Sequence, residues 1–188
     1  MSEEIKGKRV AVMVANEGVE QIEMTAPIEA LKNAGAEVDL IAPEHGEVQA
    51  FNHLDKADTF RVDHSLGEVN AGDYAALVLP GGVANPDQLR TEPKAVQFVK
   101  DFFSEGKPVG AICHAPWTLV EADVVQGRTL ASWPSLKTDI ENAGGTWVDE
   151  EVHVDQGFVT SRTPDDLEAF CSKVVEEIAE GRHAGQTA

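Results

Sequence analysis

Cysteines, basic residues and long apolar runs are scarce in this chain. Its 188 residues include two cysteines, Cys113 and Cys171, too few for a disulfide scaffold and without the CxxC pairing of structural zinc sites. Basic residues number 15 against 33 acidic ones, for a formal net charge of -18. The basic footprint of a duplex-binding protein is therefore missing. Anionic membrane surfaces are disfavoured too, and no apolar run approaches a membrane span. We expect neither nucleic acid nor membrane as a partner.

Both ends of the chain are short and polar. Met1–Lys8 carries charges where a secretory signal would be apolar, and Gly181–Ala188 predicts a short frayed tail. Combined with the two unpaired cysteines, this favours a reduced, cytoplasmic location. The length and the apolar fraction of 42% predict one domain over residues 1–188, with a core from about 8 to 180.

Short apolar runs alternate with helical patterns along the chain. Buried strands are predicted at Arg9–Val14, Val38–Ile41, Ala75–Leu79 and Val109–Ile112, and an antiparallel pair within Val152–Thr160. Helices are predicted around Pro27–Leu31, at Pro93–Glu105, Ala115–Ala122 and Leu136–Ala143, and from Thr163 to about Glu180. Residues 15–20 are expected to form a loop, and residues 43–74 to be irregular with a small hairpin around Val48–Phe51. This alternation predicts a three-layer α/β/α sandwich with a mostly parallel sheet.

In such sheets the active site lies beyond the carboxyl ends of the strands. Three loops satisfy that rule: Ala15–Met24, Pro80–Asp87 and Cys113–Trp117. Cys113 follows a buried strand, precedes a helix and lies between Ala111 and Ala115, as the sharp turn of a nucleophile elbow requires. The N-terminus of the following helix is expected to favour its thiolate. Cys171, by contrast, belongs to an apolar helical stripe, which is typical of a core cysteine.

Four motifs in the sequence resemble those of the PfpI family, within the DJ-one/PfpI superfamily. They cover roughly residues 8–180 and are Glu23-Met-Thr-Ala-Pro27, Leu79-Pro-Gly-Gly82, Ala111-Ile-Cys-His-Ala-Pro116 and Thr160-Ser-Arg-Thr-Pro-Asp-Asp-Leu167. The resemblance implies a flavodoxin-like fold, similar to class I glutamine amidotransferases, with Cys113 as nucleophile. It also implies a homodimer or higher oligomer, and it implies no cofactor.

The resemblance assigns further site residues. Glu23 matches the acid beside the cysteine, and a carboxyl in a dry pocket has a raised pKa. The backbone N–H groups of Gly82 and His114 would form an oxyanion hole, with Gly81 beside them. His114 would act as base only if the turn lets it reach the thiol; otherwise it lines the site or a subunit contact. Asp87 takes the place of a glutamate supplied by the neighbouring subunit, or is simply an acid at a helix N-terminus.

Two tryptophans complete the expected pocket. Trp133 occupies a position that is often histidine in the superfamily, and Trp117 is either a pocket wall or core. The remaining histidines show no metal-ligand spacing, so no metal is expected.

The expected function is that of a stress-related cysteine hydrolase using Cys113. One chemistry is that of an intracellular peptidase acting on peptides. The other is glyoxalase- or deglycase-type chemistry on methylglyoxal and its adducts, which requires no peptide groove. The alternative is a non-catalytic redox-sensing or chaperone-like stress protein in which Cys113 is oxidised to sulfinate. A glutamine amidotransferase is disfavoured because no His-x-Glu follows Cys113.

Overall fold

A computed structural model describes residues 5–186 of the chain. In chain order the strands are β1 (Arg9–Met13), β2 (Glu17–Glu20), β3 (Glu37–Ala42), β4 (Glu47–Asn52), β5 (Asp55–Arg61), β6 (His64–Ser65), β7 (Ala76–Leu79), β8 (Val109–Ile112), β9 (Thr129–Leu130), β10 (Thr146–Trp147), β11 (His153–Asp155) and β12 (Phe158–Ser161). The helices are α1 (Gln21–Asn33), α2 (Ala84–Leu89), α3 (Pro93–Ser104), α4 (Pro116–Glu121), α5 (Lys137–Asn142) and α6 (Leu167–Glu180).

Seven strands form the central sheet, in the order β11-β12-β8-β7-β1-β3-β6. All neighbouring pairs are parallel except β11 with β12. Strands β1, β7 and β8 are almost entirely buried, which explains their unbroken apolar sequences. The predicted sandwich with a mostly parallel sheet is confirmed, and β8 has the predicted bounds.

Helices cover both faces of the sheet. On one face, Phe102 of α3, Leu119 of α4 and Ile140 of α5 belong to one apolar cluster. On the other face, Leu31 of α1 and Phe170 of α6 belong to a second cluster. No helix within residues 5–186 is long and apolar enough to cross a membrane.

Residues 15–20 and 43–74 are more ordered than the sequence predicts. Strand β2 occupies the expected loop and pairs with β4, and β4 pairs with β5 to form a small second sheet. Most of β5 is exposed, so its sequence lacks the apolar alternation that would reveal a strand. The expected small hairpin is therefore a hairpin of two full strands, with Leu54 at its tip.

The predicted frayed tail is also wrong for most of its length. Ala184–Gln186 forms a 3₁₀ turn, the His183 N–H donates to the Gly106 carbonyl (2.8 Å), and Gln186 is fully buried. Because this C-terminal segment is polar, its sequence does not predict that it packs against the rest of the chain. Predictions for residues 1–4 and 187–188 lie outside the described residues.

Candidate active site

Cys113 lies at a sharp turn immediately after β8. Its φ is +63°, in the left-handed region that non-glycine residues rarely adopt. Two hydrogen bonds hold the turn: the Cys113 N–H donates to the Ser161 carbonyl (3.1 Å), and the Trp133 N–H donates to the Cys113 carbonyl (2.9 Å). Strain of this kind is typical of functional sites. The backbone therefore has the conformation expected of a nucleophile elbow.

Glu23 is a fully buried acid in the first turn of α1. Its Oε2 accepts a hydrogen bond from the Gly81 N–H (3.0 Å), whereas no nitrogen or oxygen donor from residues 5–186 reaches its Oε1. Burial raises the pKa of Glu23 to about 7. The carboxyl therefore changes its protonation state near neutral pH, as proton transfer requires.

Gly81 separates this acid from the cysteine. A Cβ at position 81 would lie 2.4 Å from Glu23 Oε2, 2.6 Å from Cys113 Cβ and 2.7 Å from the Ile112 carbonyl oxygen. No real side chain fits at such distances, so only glycine allows the three segments to meet. Gly81 lies behind the cavity wall, while its neighbour Gly82 lines the cavity.

Several groups converge on the Cys113 sulfur. The Nδ1 atom of His114 lies 3.2 Å from Sγ. The backbone N–H groups of Gly82 and His114 lie near the sulfur and favour its thiolate, and the Glu23 carboxyl is its acidic neighbour. The structure thus brings together four of the residues predicted from the sequence: Cys113, His114, Glu23 and Gly82.

The expectation that a helix N-terminus makes Cys113 a thiolate is wrong for this geometry. Burial and the negative charge of Glu23 raise the pKa of the Cys113 thiol, and the N–H groups of Gly82 and His114 oppose that rise. Helix α4 has six residues and begins only at Pro116, which limits its dipole. As the pH rises, the Glu23 carboxyl therefore loses its proton before the Cys113 thiol does.

His114 is held by the two tryptophans. Its ring stacks on Trp133, with centroids 5.5 Å apart, and meets Trp117 edge-on at 5.2 Å. Burial lowers the pKa of His114, which favours a neutral imidazole able to accept the thiol proton. Trp117 is both wall and core, because it lines the cavity and also packs against the apolar cluster of α3–α5.

Asp87 lies on α2 at the rim of the cavity of its own chain. It is exposed, and within residues 5–186 its carboxylate has no hydrogen bond or ion pair. The structure describes one copy of the chain, so the supply of Asp87 by a neighbour stays a prediction.

Glu23, Gly82, Cys113 and His114 line a cavity of about 750 Å³. Its walls come from β2, α1, the β4–β5 hairpin, α2, the elbow and the turn after β9. The lining residues are Glu17, Gly18, Glu20, Glu23, Phe51, His53, Leu54, Gly82, Val83, Ala84, Asp87, Gln88, Cys113, His114, Trp117, Trp133 and Pro164. This volume lies within the usual range for a small-molecule site.

Sequence reasoning missed Asn85, which holds the glycine loop. Asn85 is fully buried, accepts from the Ala15 N–H (2.7 Å) and donates to the carbonyls of Pro80 and Gly81 (2.9 and 3.0 Å). An Asn-Pro pair is typical of an exposed turn, so the burial of Asn85 could not be predicted from its neighbours in the chain. Glu20 and Leu54, also at the cavity, were likewise not predicted.

The described residues contain one group that could hold a metal ion: Glu177, Glu180 and His183, at the end of α6. None of them lines the cavity. The fold brought these three together although the sequence spacing of the histidines had indicated no site.

A model of the DJ-1/PfpI family matches residues 8–177. The chain is 44% identical over 165 residues to "General stress protein 18" and 40% identical over 163 residues to "Putative cysteine protease YraA", both of Bacillus subtilis. These alignments cover 87% of this chain and 94% of each relative. It is also 42% identical over 164 residues to "Protein/nucleic acid deglycase 2" of Escherichia coli, covering 87% of this chain and 93% of that relative.

Among solved structures, the chain is similar to Drosophila melanogaster DJ-1beta. The TM-score is 0.83 at 30% sequence identity, with 92% of this chain and 91% of that chain covered. The shared fold extends over nearly the whole chain.

Proposed function

This chain belongs to the DJ-1/PfpI family, and we propose that it is a cysteine-dependent enzyme that converts small 2-oxoaldehydes, or their early adducts, by glyoxalase- or deglycase-type chemistry. The observation that carries the proposal is the convergence on the Cys113 sulfur of a buried acid, an imidazole nitrogen and two backbone N–H donors. A cavity of about 750 Å³ suits a small carbonyl compound better than an extended peptide.

The first step is addition to the aldehyde. The thiol proton passes to Glu23 or His114, and the thiolate forms a C–S bond with the aldehyde carbon. The carbonyl π electrons move onto the oxygen, towards the N–H groups of Gly82 and His114. A proton returned from Glu23 then gives a neutral hemithioacetal and leaves Glu23 as a carboxylate.

The second step needs no external oxidant. The hemithioacetal carbon of a 2-oxoaldehyde keeps one hydrogen, which the adjacent carbonyl makes acidic. The Glu23 carboxylate removes this proton and returns a proton to the neighbouring carbon, while the hydroxyl proton of the hemithioacetal moves to the neighbouring oxygen. The product is a thioester of a 2-hydroxy acid. Water cleaves the thioester and restores the thiol. The net reaction adds water to a 2-oxoaldehyde to give a 2-hydroxy acid.

The test compares two cysteine variants. Cys113→Ala is expected to abolish methylglyoxal consumption, whereas Cys171→Ala should retain it, because Cys171 lies on α6 away from the cavity. Fluorogenic peptides assayed in parallel address the peptidase chemistry. Wild-type protein that cleaves peptides through Cys113 but leaves methylglyoxal intact would replace this proposal with the peptidase function.

One observation favours a second candidate function, oxidation sensing. Glu23 Oε1 is buried and lacks a hydrogen-bond partner among residues 5–186, and the Glu23 carboxyl is the acidic neighbour of the sulfur. A protonated Glu23 could hold an oxygen of a Cys113 sulfinate, together with the N–H groups of Gly82 and His114. Wild-type protein inactive on aldehydes and peptides, yet converted by peroxide to one stable sulfinate at Cys113, would favour this function.

We further propose that a second copy of the chain covers the cavity mouth and contributes Asp87. Leu54, Val83 and Trp133 are 94, 57 and 38% exposed around that mouth, beside the unpartnered Asp87 carboxylate. Apolar side chains exposed together are typical of interfaces. An acid contributed in this way would complete the predicted Cys113, His114 and acid arrangement.

Mixing two inactive variants tests this sharing. If Asp87 acts across an interface, a hybrid of Cys113→Ala and Asp87→Asn chains contains one site with both native residues, and activity returns. If Asp87 acts within its own chain or not at all, mixing restores nothing. Light scattering of each variant shows whether hybrids of the required size can form.

A further inference from the structure

The cavity is acidic and contains no fixed cation. Of its seventeen lining residues, all within the described part of the chain, Glu17, Glu20, Glu23 and Asp87 are acidic and none is Lys or Arg. An anion entering this cavity would meet like charges and no Lys or Arg side chain among these lining residues. Its apolar walls lower the local dielectric constant, which strengthens that repulsion.

Glu20 is the acid best positioned to act on the reacting centre. Its Oε2 accepts from the His53 N–H (3.0 Å), which fixes the carboxylate at the tip of the β4–β5 hairpin. Its charge also contributes to the raised pKa of Glu23, so its field reaches the acid beside the sulfur. Glu20 has no role in the proposed proton transfers and is available to set charge selectivity.

The remaining walls are large and apolar. Phe51, Leu54, Val83, Trp117 and Trp133 line the cavity. Trp133 stacks on the His114 ring, so its indole lies next to the nucleophile. Leu54 projects from the tip of the hairpin and is almost fully exposed. A substrate with an apolar substituent would bury that substituent against these two side chains.

We propose that this cavity selects uncharged carbonyl compounds that carry an aryl or branched alkyl substituent and rejects anionic ones, with Trp133 and Leu54 forming the apolar subsite and Glu20 setting the charge selectivity. The proposal rests on the proposed function for the reaction itself. Its two parts concern which compounds enter the cavity and how well their substituents fit its apolar walls. Entry can be measured without turnover, and fit is measured with it.

Two alkylating reagents that differ by one charge test the charge selectivity without turnover. The Cys113 thiolate displaces iodide from neutral iodoacetamide or from anionic iodoacetate, and peptide mass spectrometry separates Cys113 from Cys171. We expect the rate ratio of iodoacetamide to iodoacetate to be at least about tenfold larger in folded protein than in urea-unfolded protein at low salt. The ratio should shrink as salt is added. Equal ratios in folded and unfolded protein would overturn the proposal.

Glu20→Gln should reduce that ratio several-fold, since it removes one charge and keeps the side-chain size. Glu29→Gln is the matched control, because Glu29 is an exposed acid of α1 that does not line the cavity. A Glu20→Gln ratio identical to that of Glu29→Gln would remove Glu20 from the proposal.

Turnover tests both parts together. Phenylglyoxal should have a kcat/KM at least about tenfold above that of 4-carboxyphenylglyoxal, which carries the same ring and one added charge. Trp133→Ala should lower kcat/KM for phenylglyoxal several-fold more than for methylglyoxal, with Trp133→Phe restoring most of the loss. Equal values for the two aryl compounds would overturn charge selectivity and leave the proposed function intact. Absence of turnover with retained alkylation selectivity would overturn the proposed function and leave the selectivity intact.

Discussion

The Cys113 sulfur and the His114 Nδ1 lie 3.2 Å apart, although the two side chains leave adjacent backbone positions. In an extended strand, neighbouring side chains point to opposite faces. The left-handed conformation at Cys113 removes that alternation at the end of β8. The two tryptophan rings then hold the imidazole beside the sulfur. Two consecutive residues therefore bring a thiol and an imidazole within hydrogen-bonding distance.

Glu23→Gln should stabilise the protein at alkaline pH. The pKa of Glu23 rises from 4.5 to about 7 on folding, because burial disfavours the carboxylate. A raised acid pKa contributes stability below about pH 4.5 that is lost as the pH rises through 7. As the pH rises, the wild type should therefore lose about 3 kcal/mol of its free energy of unfolding, whereas Glu23→Gln should not. Urea unfolding at pH 5 and pH 8 measures this: the advantage of the variant should be small at pH 5 and large at pH 8. The same advantage at both values would contradict the assigned pKa.

Glu23→Gln should make Cys113 alkylatable at lower pH. Burial and the negative charge of Glu23 both raise the pKa of the Cys113 thiol, and the substitution removes that charge. Alkylation by iodoacetamide, followed by mass spectrometry between pH 5 and 10, should show the Cys113 profile of the variant at lower pH than that of the wild type. Cys171 is the internal control, because burial raises its pKa to about 11 and its profile should not move. Superimposed Cys113 profiles for the two proteins would contradict the assigned effect of Glu23.

Gly81→Ala should inactivate the enzyme. The added Cβ would clash with both Glu23 and Cys113. The movement that relieves these clashes would separate the acid from the thiol. We expect methylglyoxal consumption to fall by roughly 100-fold, together with a stability loss of about 1–3 kcal/mol. Gly72→Ala is the matched control, since no atom lies within 4 Å of its added Cβ. Normal activity of Gly81→Ala would show that the loop moves freely.

Asn85→Ala should destabilise the fold and impair the site together. Its three buried hydrogen bonds join Ala15 to the Pro80-Gly81 loop, and their loss leaves buried backbone groups unpaired. We expect a stability loss of about 3 kcal/mol and lower turnover even where the variant is fully folded. Asn16→Ala, which removes hydrogen bonds to Glu44 on the surface, should cost under about 1 kcal/mol. Equal losses would indicate that Asn85 has no special structural role.

The buried strands and helices could be predicted from the sequence because their residues follow clear patterns. Short runs rich in apolar residues predicted β1, β3, β7 and β8, and a capping box at Thr163 and Asp166 marked the start of the last helical segment. The β4–β5 hairpin was underestimated because β5 is exposed on both faces. Short β2 was missed because a polar tetrapeptide resembles a loop.

Some features of the site could likewise be predicted from the sequence, and others could not. Cys113, Glu23 and Gly82 were found because motif position and strand ends determine them. The reach of His114 depends on one positive φ, which its sequence does not encode in any simple pattern. The raised pKa of the thiol required knowledge of burial and of a carboxyl 90 residues earlier in the chain. Such distant neighbours are fixed only by the complete packing.

The φ of +63° at Cys113 implies a trade-off between folding and chemistry. Glycine would relax this position by roughly 1 kcal/mol, so every chain that keeps a thiol here folds less stably than a glycine variant would. Selection for stability alone would therefore favour glycine over cysteine at position 113. Such variants would be folded and abundant but inactive.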